Sequence, residues 1–209
     1  MKKSKRRPYT LHRRAASQAE THLAVAKAAF ELHSTIGPSR ATVSAIAEKA
    51  GVQRLTVYRH FPDQEAIFAA CSAYSFSQDP PPDPEAWRAI AGPKTRFRTA
   101  LREIYSYYRR KRQLLLNLHR DSDIAIVAAA LARRRTVLEK GTAVLTEGWP
   151  KRALKTDRYR TALIRHALDF TTWQSLAETQ GLSDAELVEL LLGLVQVSFP
   201  REKQRSRRV

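Results

Sequence analysis

Residues 78–84 hold four prolines and two aspartates, a stretch no α-helix can cross, in a chain whose apolar residues otherwise recur at helical spacing. It divides the sequence into a short N-terminal part and a longer C-terminal part. Before it, Val25, Ala26, Ala29, Phe30, His33 and Ile36 follow a 3.6-residue period until Gly37 and Pro38, with Ser17 and Glu20 spaced as a capping box. Thr42 suits the N-cap of a second helix carrying Val43, Ile46, Ala47 and Ala50, and Gly51 supplies a left-handed turn residue. A third helix is predicted over 53–60, and Asp63 caps a fourth through Ala66, Ile67, Ala70 and Tyr74. After the prolines, Phe97, Ala100, Leu101, Ile104, Tyr105 and Tyr108 predict a helix ending in the basic run 109–112, followed by a short apolar segment at 114–118. Ile124, Val127, Leu131, Leu138 and Leu145 predict another that stops at Gly148 and Pro150, with Gly141 as a candidate kink. No strand alternation occurs. The expected fold is all-α with about nine helices: a three-helix N-terminal domain containing a helix-turn-helix, and a helical C-terminal domain.

Charge and cysteine content exclude several classes. The 209 residues carry a net charge of +17. Residues 1–14 hold seven basic and no acidic side chains, and 201–209 hold five basic and one acidic, so the expected layout is a basic disordered arm (1–14), a DNA-binding domain (15–78), a C-terminal domain (79–200) and a basic tail (201–209). Such tails serve solubility or contact polyanions, and composition does not separate DNA from RNA or anionic lipid. Cys71 stands alone, which excludes a disulfide scaffold and indicates a reducing, cytoplasmic compartment. The longest apolar run, 124–132, is far shorter than a bilayer span, and no h-region follows the basic N-terminus. No Gly-rich phosphate loop, Cys/His pair or metal spacing points to an enzyme or a cofactor. His119, Asp121 and Asp123 are spaced by two, which scatters them around a helix rather than converging them on a metal.

Helix two, the Gly51 turn and helix three form a helix-turn-helix over residues 42–61. Val52, Val57 and Phe61 fall on the face turned to Phe30 and Ile46, leaving Gln53, Arg54, Thr56, Tyr58, Arg59 and His60 for a duplex. Arg54 can bond bidentately to guanine O6 and N7, Gln53 to adenine N6 and N7, and hydroxyl or imidazole groups to phosphate oxygens.

This stretch, TVSAIAEKAGVQRLTVYRHF followed by PDQEAIF, resembles the tetracycline-repressor (TetR) family of bacterial regulators. The A-G-V turn, the Thr56-x-Tyr58 spacing and the Tyr58-x-His60-Phe61 ending carry the resemblance, which covers about residues 19–78. It implies a homodimeric DNA-binding regulator, usually a repressor, released from a palindromic operator when a small molecule enters the C-terminal domain. By that resemblance Thr42 and Tyr58 contact phosphate, Ser44, Gln53 and Arg54 read base edges, and Thr56 and His60 anchor to the backbone. Leu55 replaces a commonly small residue and could touch a thymine methyl, and Gln64 stands where many members have a cation. Residues 15–77 count five basic and five acidic side chains, so the N-terminal arm is expected to supply charge toward the duplex. The alternative is a basic architectural protein without an effector.

In the C-terminal part, Phe97, Tyr105, Tyr108, Leu116, His119, Asp123, Leu131, Trp149, His166, Phe170 and Trp173 are candidates to line an effector cavity, since helix bundles place ligands between facing aromatic and polar side chains. The same aromatic stripe is equally read as ordinary core. Arg133, Arg134 and Arg135 fit an anionic effector or a solvated helix face. From 157 to 179 the apolar arc is broad, and after the Ser183–Glu186 capping box the last helix is apolar on nearly every side. That much apolar surface predicts either a deeply buried helix or an intermolecular four-helix bundle, with Tyr159, Leu163, Leu168, Leu187, Leu190, Leu191, Leu194 and Val195 at a homodimer interface.

Overall fold

A computed structural model describes residues 6–150 and 154–197. Among these residues there are ten α-helices, one π-helical stretch and no strand. In chain order the helices are α1 (Arg6–Thr35), α2 (Val43–Lys49), α3 (Arg54–His60), α4 (Gln64–Gln78), α5 (Pro84–Arg88), α6 (Pro93–Arg120), α7 (Ala125–Thr146), α8 (Leu154–Ala167), α9 (Phe170–Trp173) and α10 (Asp184–Gln196), with the π stretch at Gln174–Thr179. None is long and apolar enough to cross a membrane among the described residues.

The chain divides into two compact units, Met1–Pro81 with Lys111–Arg133, and Pro82–Arg110 with Arg134–Val209. The division therefore falls inside α6 and α7 and not only at the prolines. In the first unit, Val25, Ala28 and Ala29 of α1 pack with Val43, Ile46 and Ala47 of α2, Val57 of α3, Phe61, and Ile67 and Cys71 of α4. Phe30 and Val52 complete this core from its margin, as their spacing predicted. The first helix begins at Arg6, so Ser17 lies within it and does not cap it, and the arm expected over 1–14 is helical from residue 6. Pro8 does not prevent this, because the first turn of a helix has no backbone N–H bond to lose there. Residues 1–5 and the basic tail 201–209 lie outside the described residues.

In the second unit, Asp83 accepts from the Glu85 N–H at 3.0 Å and Pro84 occupies the first helical position, so the stretch that ends α4 also starts α5. Arg96 of α6 donates to Ile90 O at 3.2 Å and to Val144 O at 3.3 Å. Helix α7 continues through Gly141, where an added Cβ would lie 3.1 Å from Trp87 and 3.3 Å from Leu168. Gly141 serves close packing instead of a break. The region 157–179 is not one helix: Asp169 caps a new start by accepting from Thr171 N–H at 2.8 Å, and the π stretch follows α9.

Candidate nucleic-acid interface

Helices α2 and α3 are fixed by local chemistry. Thr42 has an extended backbone and its Oγ1 accepts from Ala45 N–H at 3.2 Å, capping α2. At the other end Gly51, at φ +68°, follows Ala50, with Gly51 N–H on Glu48 O at 3.0 Å and Val52 N–H on Ala47 O at 3.0 Å. This is the Schellman pattern that closes a helix on a left-handed residue. Helix α3 then starts after Gln53, whose side chain makes no capping bond and stays exposed. Val57 and Phe61, 0 % and 1 % accessible, pin α3 to the core, and His22 of α1 packs on Phe61 with ring centroids 4.4 Å apart.

With that face buried, the opposite one is presented to solvent. Thr42, Ser44, Gln53, Arg54, Leu55, Tyr58 and Arg59 are exposed, and Thr56 and His60 are half-buried. Leu55 is 69 % accessible, so its side chain is available to an outside partner. Arg54 and Tyr58 are one turn apart, and the guanidinium donates to the Tyr58 hydroxyl from Nη2 at 2.9 Å and Nε at 3.3 Å. The guanidinium carbon lies 5.4 Å from the phenol ring centroid. Only part of the five-donor guanidinium is used, so it retains donors for an acceptor outside the protein.

A second set of side chains, Asn117, Arg120 and Asp121, holds the turn that leads into α2. Asn117 Nδ2 donates to His33 O and Ser34 O, both at 3.0 Å, and Arg120 Nη2 donates to Ile36 O at 2.9 Å. These satisfy carbonyls at the end of α1 that have no partner in their own helix. Asp121 accepts from Ser39 N–H at 2.9 Å and from Arg120 Nε at 2.8 Å, and the Arg120 bond, reinforced by that N–H, holds its carboxyl well below the usual range. Nothing in local spacing signals this cap, because its donors come from residues more than eighty positions away.

The expected effector residues do not gather into one unit. Leu116, His119, Asp123 and Leu131 belong to the first unit, and Phe97, Tyr105, Tyr108, Trp149, His166, Phe170 and Trp173 to the second. In the second unit, Tyr108 meets Phe170 edge-on at 5.4 Å and Trp173 at 6.1 Å, while Tyr105 lies 6.3 Å from Tyr108. Their polar atoms are satisfied internally: Tyr105 donates to Ala167 O at 2.8 Å, Tyr108 to Leu168 O, and Trp173 to Asp184 at 3.1 Å. Burial pushes the Tyr108 phenol up to about 12. Trp149 donates to Leu145 O at 2.8 Å, His166 pairs with Thr172 Oγ1 at 3.1 Å, and Phe97 is fully buried. Phe97, Tyr105, Tyr108, Phe170 and Trp173 are buried and belong to the core of the second unit, while Trp149 is half-buried and His166 is exposed.

The expected dimer residues also separate. Leu168, Leu187, Leu191 and Val195 are buried within the single chain, where α8 and α10 pack on each other and cover that side of α10. Leu190 and Leu194 are 44 % and 43 % accessible, and Tyr159 and Leu163 are half-buried.

The sequence pattern of the bacterial regulatory proteins of the tetR family matches residues 25–71, the segment that carries this helix-turn-helix. Over that segment the chain is similar to the tetR family. Among solved structures, a TetR-like transcriptional regulator from Rhodococcus sp. RHA1 shares 19 % identity, with a TM-score of 0.58 over 84 % of this chain and 93 % of that one. A Clostridium perfringens protein described as a fatty acid metabolism regulator shares 14 % identity, with a TM-score of 0.59 over 85 % of this chain and 100 % of that one. At those identities the likeness is one of fold, and it extends through the C-terminal half, beyond the reach of the family pattern. No curated protein matches the chain. The matched segment contains the whole of α2 and α3.

Proposed function

We propose that this protein is a homodimeric tetR-family repressor that binds a palindromic operator, with α3 in the major groove, and is released by a small-molecule effector. The observation that carries the reading is the division of α3 itself. Val57 is locked in the core while Arg54, Leu55, Tyr58 and Arg59, together with Gln53 before them, stand exposed on a helix held rigidly from behind. Ser44, Gln53 and Arg54 are the base readers, Leu55 stands beside them, and Thr42, Thr56, Tyr58, Arg59 and His60 reach the phosphate backbone. A single seven-residue helix covers one half-site, so two subunits spaced about 34–36 Å apart are needed for useful specificity. The exposed Leu190 and Leu194 of α10 supply an apolar stripe for that pairing.

Selection of bound sequences from a random duplex pool at about 150 mM salt, where counterion release suppresses nonspecific attraction, tests the proposal. Enrichment of a palindrome is expected. Recovery of no preferred sequence, with binding that tracks only duplex length, would replace the repressor by a basic architectural protein.

A further inference from the structure

The DNA-reading unit contains a cavity of about 340 Å³ directly beneath the residues assigned to the operator. Its apolar part is formed by Ile46, Ile67, Phe68, Ile124 and Ile126, all buried or half-buried. Its open side is formed by Thr42, Ser44, Arg54 and Tyr58, all exposed. The volume lies at the lower end of the range of small-molecule sites, and apolar walls with a few convergent polar groups are their usual composition.

The charge of the lining narrows the occupant. Among the described residues on the wall, Arg54 is the one permanent charge, and no carboxylate lines it. The nearby Asp121 carboxylate is already engaged by Arg120 and the Ser39 N–H. Arg54 is held in place by its two bonds to Tyr58 and still has N–H groups to offer, so an acceptor would meet a preorganised donor instead of ordering a free side chain. The wall is also anchored from behind, since Asn117, Arg120 and Asp121 fix the turn from which Pro38 and Ser39 line the cavity.

We propose that this cavity binds a small organic carboxylate with an apolar body, the body among the isoleucines and Phe68 and the carboxylate on Arg54, and that such a ligand and DNA exclude each other. The inference rests on the assignment of Arg54 and Tyr58 to DNA only for its second half. An acid seated on Arg54 removes a base reader and places negative charge where phosphates would approach. Control of this kind is competitive: the apparent Kd for DNA rises in proportion to ligand concentration. An effector acting from a distant site multiplies it by a finite coupling factor and then saturates.

The probe is 2-naphthoate, with the uncharged 2-naphthamide as its isostere, titrated into the full chain by calorimetry. Expected are saturable binding of the acid, binding of the amide weaker by about tenfold or more as for loss of a charge-assisted bond, and loss of acid binding in Arg54→Leu. Ile124→Trp and, separately, Ile126→Trp fill the apolar part without touching a DNA-contact residue, and each should abolish naphthoate binding while preserving helicity by circular dichroism and affinity for the selected duplex. Naphthoate should then raise the Kd of that duplex linearly. Absence of saturable binding in the millimolar range, equal affinity for acid and amide, or binding that survives both tryptophan variants would overturn the site. A plateau in the competition would overturn the exclusion. Calorimetry needs no DNA, so failure of the operator reading and failure of the cavity remain distinct.

Discussion

Gly37 sits in a turn with little room for a side chain. Its φ of +92° lies in the region that side chains with a Cβ avoid, and an added Cβ would sit 2.0 Å from Arg120 Nη2 and 2.7 Å from Asp121 Oδ2. The left-handed backbone alone costs about 1–2 kcal/mol, and displacing Arg120 also frees the Ile36 carbonyl it caps. Gly37→Ala is expected to destabilise by about 2–4 kcal/mol in urea unfolding at unchanged m-value; a loss under about 1 kcal/mol would mean that the turn relaxes. His33, whose carbonyl Asn117 caps, responds to pH instead of to packing volume. It is 6 % accessible with Nδ1 3.3 Å from Cys71 Sγ, and burial, against a smaller opposing pull from Asp121, lowers it from 6.5 to about 4, while burial pushes the Cys71 thiol up to about 12. The unfolded chain therefore binds a proton at His33 that the folded chain refuses between these two values. Stability attributable to His33 is intact above pH 6.5, falls as pH drops toward 4, and levels off below, a loss of about 3–4 kcal/mol at about 1.36 kcal/mol per unit. His33→Gln should flatten the pH dependence of unfolding between pH 6.5 and 4; an unchanged slope there would exclude His33 as its source. Asp121 contributes separately and only as pH falls below the ordinary carboxylate range, because its carboxyl is depressed and not raised.

At the scale of elements, α2 is closed at both ends by residues adjacent to it in sequence, while Val43, Ile46 and Ala47 hold it in the core. Seven residues make fewer than two full turns of intrahelical bonds, so the Thr42 cap and the Gly51 closure matter more than propensity. Thr42→Ala is expected to cost about 1 kcal/mol and Thr42→Ser almost nothing, measured by thermal unfolding; equal losses in both would show that the methyl, not the hydroxyl, carries the effect. This local closure is why the helix-turn-helix was legible in the sequence: cap, apolar period and left-handed glycine all lie within residues 42–61. The long helices were less legible because tertiary partners rewrote local signals. The basic run 109–112 reads as a helix C-terminus, yet α6 continues through it. Arg109 pairs with Asp184 at 2.7 Å, Arg110 with Ser106 at 2.8 Å, and Lys111 turns inward toward Asp79 at 3.6 Å and over Phe30. Each of these three cations has a specific partner, and only Ser106 is near in sequence. Likewise α10 reads as apolar all round, and only the packing of α8 against it reveals which leucines are core.

For the whole molecule, the remaining apolar feature of α10 and the excess charge set the two tests that bear on assembly. Leu190 and Leu194 lie one turn apart, Val197 follows at 48 % accessibility, and Gly193 between them has open space around it. A stripe with a glycine in its middle permits close approach of a second helix. Leu190→Arg with Leu194→Arg should reduce the mass in sedimentation equilibrium from twice 23.7 kDa to 23.7 kDa and abolish binding to a palindrome while the half-site still titrates weakly; a dimer that persists would move the interface elsewhere. The net charge of +17 is spread unevenly. Seven of the cations lie in residues 1–14, while residues 15–77 balance five basic against five acidic side chains and so offer a duplex little long-range attraction. Because α1 begins at Arg6, the basic segment from that residue on continues a helix whose later turns pack in the first unit. Each phosphate neutralised contributes a slope of about −0.9 to log K against log salt. Removal of residues 2–14 should weaken binding to the selected duplex and flatten that slope by about 0.9 for every phosphate no longer neutralised, without changing which sequence is preferred, because the base readers on α3 remain. A deletion that leaves both affinity and slope unchanged would confine the charged N-terminus to solubility; one that changes the preferred sequence would make it a reader of bases in its own right.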